Sequence, residues 1–334
     1  MINAYATHEA GAELQPFQYD PGELQPNEVE IDVLHCGICH SDLSVMDNEW
    51  GNAQYPVVPG HEVVGTVNQV GAQVSNLKVG QAVGLGWHAG YCDSCHLCQS
   101  GDQNLCARKQ PTIIGHHGGF ADKVRAKASS VVAIPDGMDL ESAGPLFCGG
   151  ITVFNPLVQY DIKPTARVAV IGIGGLGHIA LQFLNAWGCE VTAFTSSESK
   201  KTEVLEIGAH HALNSRDPDE LKAAYGRFDL IISTVNVQLE WNRYLSTLAP
   251  KGRLHFVGAT TEPLGINVPL MLFNQLEVSA SPVGSPAVIA QMLEFAKQHN
   301  IKPIIEKYRF DEINDAVARL RSGKARYRVV VSHN

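Results

Sequence analysis

A chain of 334 residues with 45% hydrophobic side chains is long enough for about two domains of ~150 residues, each with its own core. The formal net charge of −9 argues against a nucleic-acid or anionic-membrane surface, because meeting phosphates requires clustered Lys and Arg. No stretch reaches the ~18 consecutive apolar residues of a membrane span, and "MINAYATHEAGAEL" lacks the basic-then-apolar order of a secretory signal. The expectation is a cytoplasmic protein with small-molecule partners.

Along the first ~150 residues, short alternating runs such as "NEVEIDVLHCG", "EVVGTVNQVG" and "QAVGLGW" predict an irregular antiparallel β domain. Within it, "LHCGICHSDLS" carries Cys39 with Ser41 two residues on, and "VVPGHEVVGTV" carries His61 followed by Glu62. By itself "CGIC" also reads as a redox pair, and a single His as a core residue. A catalytic zinc takes three protein ligands and leaves a fourth position open, so Cys39 and His61 need a third ligand that composition does not identify.

The next stretch, "GYCDSCHLCQSGDQNLC", places Cys92, Cys95, Cys98 and Cys106 in one short loop. In a reducing compartment such a cluster points to metal rather than disulfides. Four thiolates close a tetrahedral zinc and leave no place for a substrate, so this loop reads as a structural staple. His116 and His117, beside two glycines, read as solvated loop residues.

Around residue 150 the pattern changes. "ARVAVIGIGGLGHIALQFLNAWGCEVTAFTSSE" predicts strand, glycine turn, helix and second strand. Gly172, Gly174 and Gly177, with Gly175 and Leu176 between them, form the G-x-G-x-x-G dinucleotide fingerprint in its required setting. Such glycines let the backbone approach a pyrophosphate at a helix N-terminus. An NAD site ends its second strand in a carboxylate; here Thr195, Ser196 and Ser197 precede Lys200, which favours the 2′-phosphate of NADPH. Glu198 reaches the same place if the strand runs longer. Beyond it, "HHALN", "LKAAYGRF", "DLIISTV", "LEWNRYLSTLAPKG" and "RLHFVGA" continue the strand–helix alternation of a doubly wound parallel sheet. "SPAVIAQMLEFAKQHNIKP" then predicts a helix and "RYRVVV" a final strand.

In this order "CGICHSDL", "GHEVVGTV", the four-Cys loop, "IGIGGLGHIALQ" and "GKARYRVVV" resemble the zinc-dependent medium-chain alcohol dehydrogenases over the whole chain. "CGICHSDL", "LFCGGITVF" and "FTSSESK" are similar to the cinnamyl-alcohol-dehydrogenase branch, most closely its bacterial broad-range NADPH aldehyde reductases. The resemblance implies an α/β chain: a GroES-like catalytic β domain over 1–149, a Rossmann NADP-binding domain over 150–284, and a return to the catalytic domain over 285–334. It implies two zinc ions, a catalytic one on Cys39, His61 and Cys148 with the acid Glu62 as a catalytic residue just outside these ligands or as a transient ligand, the other on the four-Cys loop. It implies NADP(H) held by the glycine fingerprint and by Thr195, Ser196, Ser197 and Lys200, with His40 on the pyrophosphate and Thr152 near the nicotinamide. Ser41 would relay a proton, the position that often carries an outer relay His is Ser44, and Trp50 and Ile113 would line the substrate pocket. "NVPLMLFNQLEVSAS" resembles the strand by which such enzymes pair their sheets as homodimers.

The expected activity is reversible hydride transfer from NADPH to aliphatic and simple aromatic aldehydes. An NAD-dependent polyol or secondary-alcohol dehydrogenase of the same fold is the alternative. A zinc-binding interaction module would leave the glycine fingerprint unexplained. A metal-free quinone or enoyl reductase would have no use for both Cys39 and His61.

Overall fold

The computed structural model describes residues 1–333, which divide into two compact units, 1–151 with 283–333 and Thr152–Pro282. In the first, a seven-stranded sheet is centred on the strand Glu28–Ile38. That strand pairs antiparallel with Glu62–Val70 on one side and with the C-terminal strand Arg328–Ser332 on the other. Its alternating apolar residues, Val29, Ile31, Val33, Cys36 and Ile38, are all buried in the main core of this unit. The register sets Gly37 opposite Glu62 and Ile38 opposite Val329, so three segments distant in sequence converge at one sheet end. A Cβ at Gly37 would run into the Glu62 side chain, which makes glycine a requirement of that convergence.

The second unit is a six-stranded, all-parallel sheet. From edge to edge it runs His211–Asn214, Glu190–Thr195, Arg167–Ile171, Phe228–Ser233, Leu248–Phe256 and Glu277–Ala280. Counted along the chain within the unit, this is the doubly wound order 3-2-1-4-5-6. Val168, Ala169, Val170 and Ile171 are buried, as a strand covered on both faces requires. Among the described residues no helix is long and apolar enough to cross a membrane.

Two segments differ from their sequence reading. In "LEWNRYLSTLAPKG" only Trp241–Leu245 is helical, and the strand begins at Leu248. Pro250 cannot continue a helix and Lys251 takes φ of 66°, and the strand absorbs both as a register shift opposite Phe228 and Leu230. In "NVPLMLFNQLEVSAS" a helix, Val268–Asn274, precedes a strand of only Glu277–Ala280.

His255, on the fifth strand of the parallel sheet, is fully buried between the Ser279 and Ser281 hydroxyls at 2.9 and 3.0 Å. Burial, helped by the nearby Arg253 charge, lowers its pKa to about 4. The unfolded chain takes up this proton near pH 6.5 and the folded one only near pH 4, so stability contributed by neutral His255 is present above about 6.5 and lost as pH falls toward 4. Thermal midpoints measured from pH 7 to 4 should fall less steeply for His255→Gln than for the wild type. Equal slopes would remove His255 from the acid response.

Candidate active site

Cys39 ends its strand as the N-cap of the helix His40–Met46. Three residues on, the Asp42 carboxylate returns to accept the Cys39 amide at 2.8 Å. Its other oxygen accepts the Gly60 amide at 2.9 Å and bonds His61 Nδ1 at 2.8 Å. Gly60 has φ of 96°, and a Cβ there would meet Phe120 and the Cys36 sulfur. This turn delivers His61 with Nε2 3.3 Å from Cys148 Sγ. Cys148 sits where the 3-10 turn Gly144–Phe147 passes into the helix Gly149–Gln159, its sulfur 3.8 Å from that of Cys39.

The ligand atoms of Cys39, His61, Glu62 and Cys148 lie within 4.8 Å of one another, all on buried residues. Tetrahedral zinc with bonds of ~2.3 Å to sulfur and ~2.0 Å to nitrogen needs edges of ~3.8 Å between sulfurs and ~3.6 Å from sulfur to nitrogen. The observed separations of 3.8 and 3.3 Å fit such an ion. Glu62 is ion-paired through Oε1 with buried Arg328, while Oε2 is buried without a hydrogen-bond partner.

The Cys148 thiol donates to Cys39, and this bond, with the Arg328 and His61 charges, outweighs burial and holds Cys39 well below the ordinary thiol range. The contact with Cys39 and burial push Cys148 well above it. Burial lowers His61, but the Asp42 carboxylate prevails and its pKa stands well above the ordinary value. Burial raises Glu62 against the opposing Arg328 charge.

The second cluster is local. Cys92, Cys95, Cys98 and Cys106 stand 3.5 to 3.8 Å apart, sulfur to sulfur, along four of their edges. This is the edge length of a zinc tetrathiolate. Backbone amides, that of Ser94 foremost, lower the Cys92 pKa to about 5, whereas burial raises Cys98 to about 12.

In the parallel-sheet unit the strand Arg167–Ile171 turns at Gly172, with φ of 87°, into the helix Gly177–Trp187. A Cβ on Gly177 would strike the Gly172 carbonyl, whereas one on Gly174 would meet nothing within 4 Å. The turn is closed on its protein side and open at Gly174, as a pyrophosphate cradle must be. Gly175 and Leu176 complete it, Leu176 as the helix N-cap. At the end of the second strand Thr195 is buried, bonding the Ser197 amide and carbonyl at 3.2 and 3.1 Å, so it shapes the turn. Ser196 is exposed, and Ser197 and Lys200 are half-buried. Glu198 is ion-paired with Lys201 at 3.0 Å.

His40 is exposed and Ser41 half-buried on the first turn after Cys39, and Thr152 is buried in the helix Gly149–Gln159. Ser44 is buried and donates to Glu49 at 2.6 Å. Trp50, 41% exposed, meets Trp87 edge-on at 5.8 Å, and Trp87 meets His61 edge-on at 4.8 Å. Ile113 is buried against Val45 and Val57, with Ile114 and Trp87 partly buried beside it. His116 is half-buried with Nδ1 3.1 Å from the Thr112 carbonyl, and His117 packs 4.2 Å from Tyr19. Asp42, Arg328 and Trp87 escaped the sequence reading. Only Asp42 left a local signal, a carboxylate three residues after an N-cap, where it can return to the cap amide.

Family models match in two places: the alcohol dehydrogenase GroES-like domain over residues 25–136 and the zinc-binding dehydrogenase model over 175–298. The chain is 64% identical over 334 residues to a Synechocystis protein named aldehyde reductase AdhA, covering 100% of this chain and 99% of the relative. It is 40% identical over 327 residues to cinnamyl alcohol dehydrogenase 7 of Arabidopsis thaliana, covering 95% and 92%. Among solved structures, a Sorghum bicolor cinnamyl alcohol dehydrogenase superposes with a TM-score of 0.95 at 38% identity, covering 99% of this chain and 97% of that one. The Helicobacter pylori enzyme described as CAD complexed with NADP(H) gives 0.90 at 30%, with the same coverage.

Replacing Asp42 by Asn should weaken zinc at Cys39, His61 and Cys148 by roughly 10–100-fold, the usual cost of removing the partner that orients a ligating His. Metal analysis after mild chelation should then find the tetrathiolate ion retained and the second ion lost. Retention of both ions would rule out that role.

Proposed function

Because this chain belongs to the zinc-binding alcohol dehydrogenase family and is an alcohol/aldehyde oxidoreductase, we propose that it reduces aliphatic and simple aromatic aldehydes to primary alcohols with NADPH, reversibly. The observation that carries this reading is the buried cluster of Cys39, His61 and Cys148 with Glu62, in which a zinc held by the first three keeps a position that is open or only transiently taken by Glu62, whereas the tetrathiolate loop leaves none. Zinc bound there supplies Lewis acidity toward the aldehyde oxygen, and NADPH supplies the hydride.

What the chain's own residues contribute follows from their placement. Asp42 fixes the His61 ring so that Nε2 faces the two sulfurs. Each turnover adds a hydride to the carbonyl carbon and a proton to its oxygen. Ser41, one residue into the helix that Cys39 caps, offers the hydroxyl to pass that proton on. The Ser44 hydroxyl is already donated to Glu49, so water and the exposed first turn around His40 serve as the outer route. Trp50 forms one wall for the substrate and packs on Trp87, which in turn packs against the buried cluster that holds Ile113. Gly172 to Gly177 cradle the pyrophosphate, and Ser196, Ser197 and Lys200 receive the 2′-phosphate, in a turn braced by Thr195; His40 and Thr152 keep the cofactor roles that the family resemblance implies. A carboxylate that would oppose this phosphate, Glu198, is held by Lys201.

The enzyme is placed in the cytoplasm as a homodimer. Support for the dimer comes from the edge strand Glu277–Ala280 and the helix before it, where Leu272 and Phe273 are 71% and 89% exposed. Sedimentation should give the mass of two chains, and Phe273→Asp the mass of one; a monomeric wild type would refute the pairing.

NADPH oxidation followed at 340 nm against an aldehyde panel, with NADH and after zinc removal, tests the activity. Zinc-dependent turnover preferring NADPH is expected. NAD preference with sorbitol-like substrates would instead indicate a polyol dehydrogenase. Cys39→Ser should lower kcat by at least about a thousandfold while the circular dichroism spectrum and the tetrathiolate zinc persist. Undiminished turnover in that variant would remove the zinc mechanism.

A further inference from the structure

The carboxyl ends of the strands Glu190–Thr195 and His211–Asn214 lie side by side, with Thr195 paired in parallel to Asn214. The connection continues one residue past the sheet. Ser215 donates its amide at 2.8 Å and its hydroxyl at 3.2 Å to the Thr195 carbonyl. Arg216, next in the chain, is thereby carried to the sheet end that bears Ser196 and Lys200.

Three of the four carboxylates in this region are engaged; the fourth, exposed Asp219, stands in the first turn of the helix Pro218–Ala223. Glu198 and Glu220 both hold Lys201, at 3.0 and 2.8 Å, and Glu220 also accepts the Asn214 amide at 2.7 Å. Asp217 caps the helix Pro218–Ala223, accepting the amides of Asp219 and Glu220 at 2.9 and 3.4 Å. The guanidinium of exposed Arg216 has no hydrogen-bond or ion-pair partner among the described residues, and neither has the Lys200 ammonium. Two unpaired cations, Lys200 and Arg216, against one unpaired carboxylate, Asp219, leave this corner a net positive charge for a ligand. Arg216 is also held on both sides, by the bonds of Ser215 and by the Asp217 cap, so its backbone has little order left to lose on binding.

We infer that Arg216 is a further specificity-determining residue, receiving with Ser196 and Lys200 the 2′-phosphate of NADP(H). This rests on the NADPH reading above and adds to it a residue from the neighbouring strand's loop. A guanidinium presents paired N–H donors to a phosphate monoester, which an ammonium cannot do.

The test is calorimetric binding of 2′,5′-ADP and 5′-AMP, which differ only in the 2′-phosphate, to the zinc-loaded full-length enzyme. The wild type should bind 2′,5′-ADP the more tightly. Arg216→Ala should lower the ratio of the two affinities about tenfold, and Arg216→Lys should restore part of it. A thermal melt checks that both variants are folded. If the wild type does not prefer 2′,5′-ADP, the NADPH reading fails and this inference with it. If the preference exists and Arg216→Ala leaves the ratio within about twofold, only the role of Arg216 is overturned. Equal weakening of both ligands also overturns it, because the residue then acts on the adenosine or on the fold.

Discussion

A single buried carboxylate organises the chemistry of this chain. Asp42 is fully excluded from solvent, and a charge in that position is tolerated only if its oxygens are hydrogen-bonded. Its three partners belong to the two segments that carry Cys39 and His61: the Cys39 amide in one, the Gly60 amide and the His61 ring in the other. Satisfying the charge therefore sets the two segments in register, and the ligand geometry follows from it. Cys148 reaches the same point by packing. Its neighbour Phe147 occupies the space above Gly84 that any side chain there would need, and a Cβ on Gly144 would crowd the Glu62 carbonyl.

The second buried pair, Glu62 with Arg328, answers a different demand. Buried ion pairs are weak stabilisers, because desolvation offsets most of their attraction. Here the surroundings supply the reason for keeping one. With metal bound, Cys39, Cys148, Asp42 and Glu62 place four negative groups in one desolvated volume, against two positive charges on the ion. Arg328 reduces that imbalance from a strand near the end of the chain, and it occupies only one oxygen of Glu62. The other is left buried without a hydrogen-bond partner.

How much of this was readable in the sequence depended on sequence distance. The tetrathiolate loop was legible because its four ligands fall within one turn-rich stretch whose spacing constrains their geometry. The glycine fingerprint was legible because a strand precedes it and a helix follows it. Cys148 was not: it stands 109 positions from the sulfur it approaches, and only family resemblance supplied it. Arg328, 266 positions from Glu62, left no local trace, since its role is created by antiparallel pairing across the central strand. The helix expected through Pro250 failed for a local reason, a proline and a left-handed lysine that a strand can absorb as a bulge.

Electrostatics near the adenosine end of the fingerprint shows the same limit from another side. A sequence displays charges, but a ligand meets only those that the fold leaves unpaired. Glu198, Asp217 and Glu220 outnumber the lysines in the loops around Thr195, and by count alone the corner is no place for a phosphate. Once Lys201 holds two of these carboxylates and a helix end takes the third, the remaining field is set by Lys200 and Arg216 against Asp219. The loops after the second and third strands thus act jointly on this corner: Lys201 after the second neutralises Glu198 and Glu220, and the helix end after the third engages Asp217.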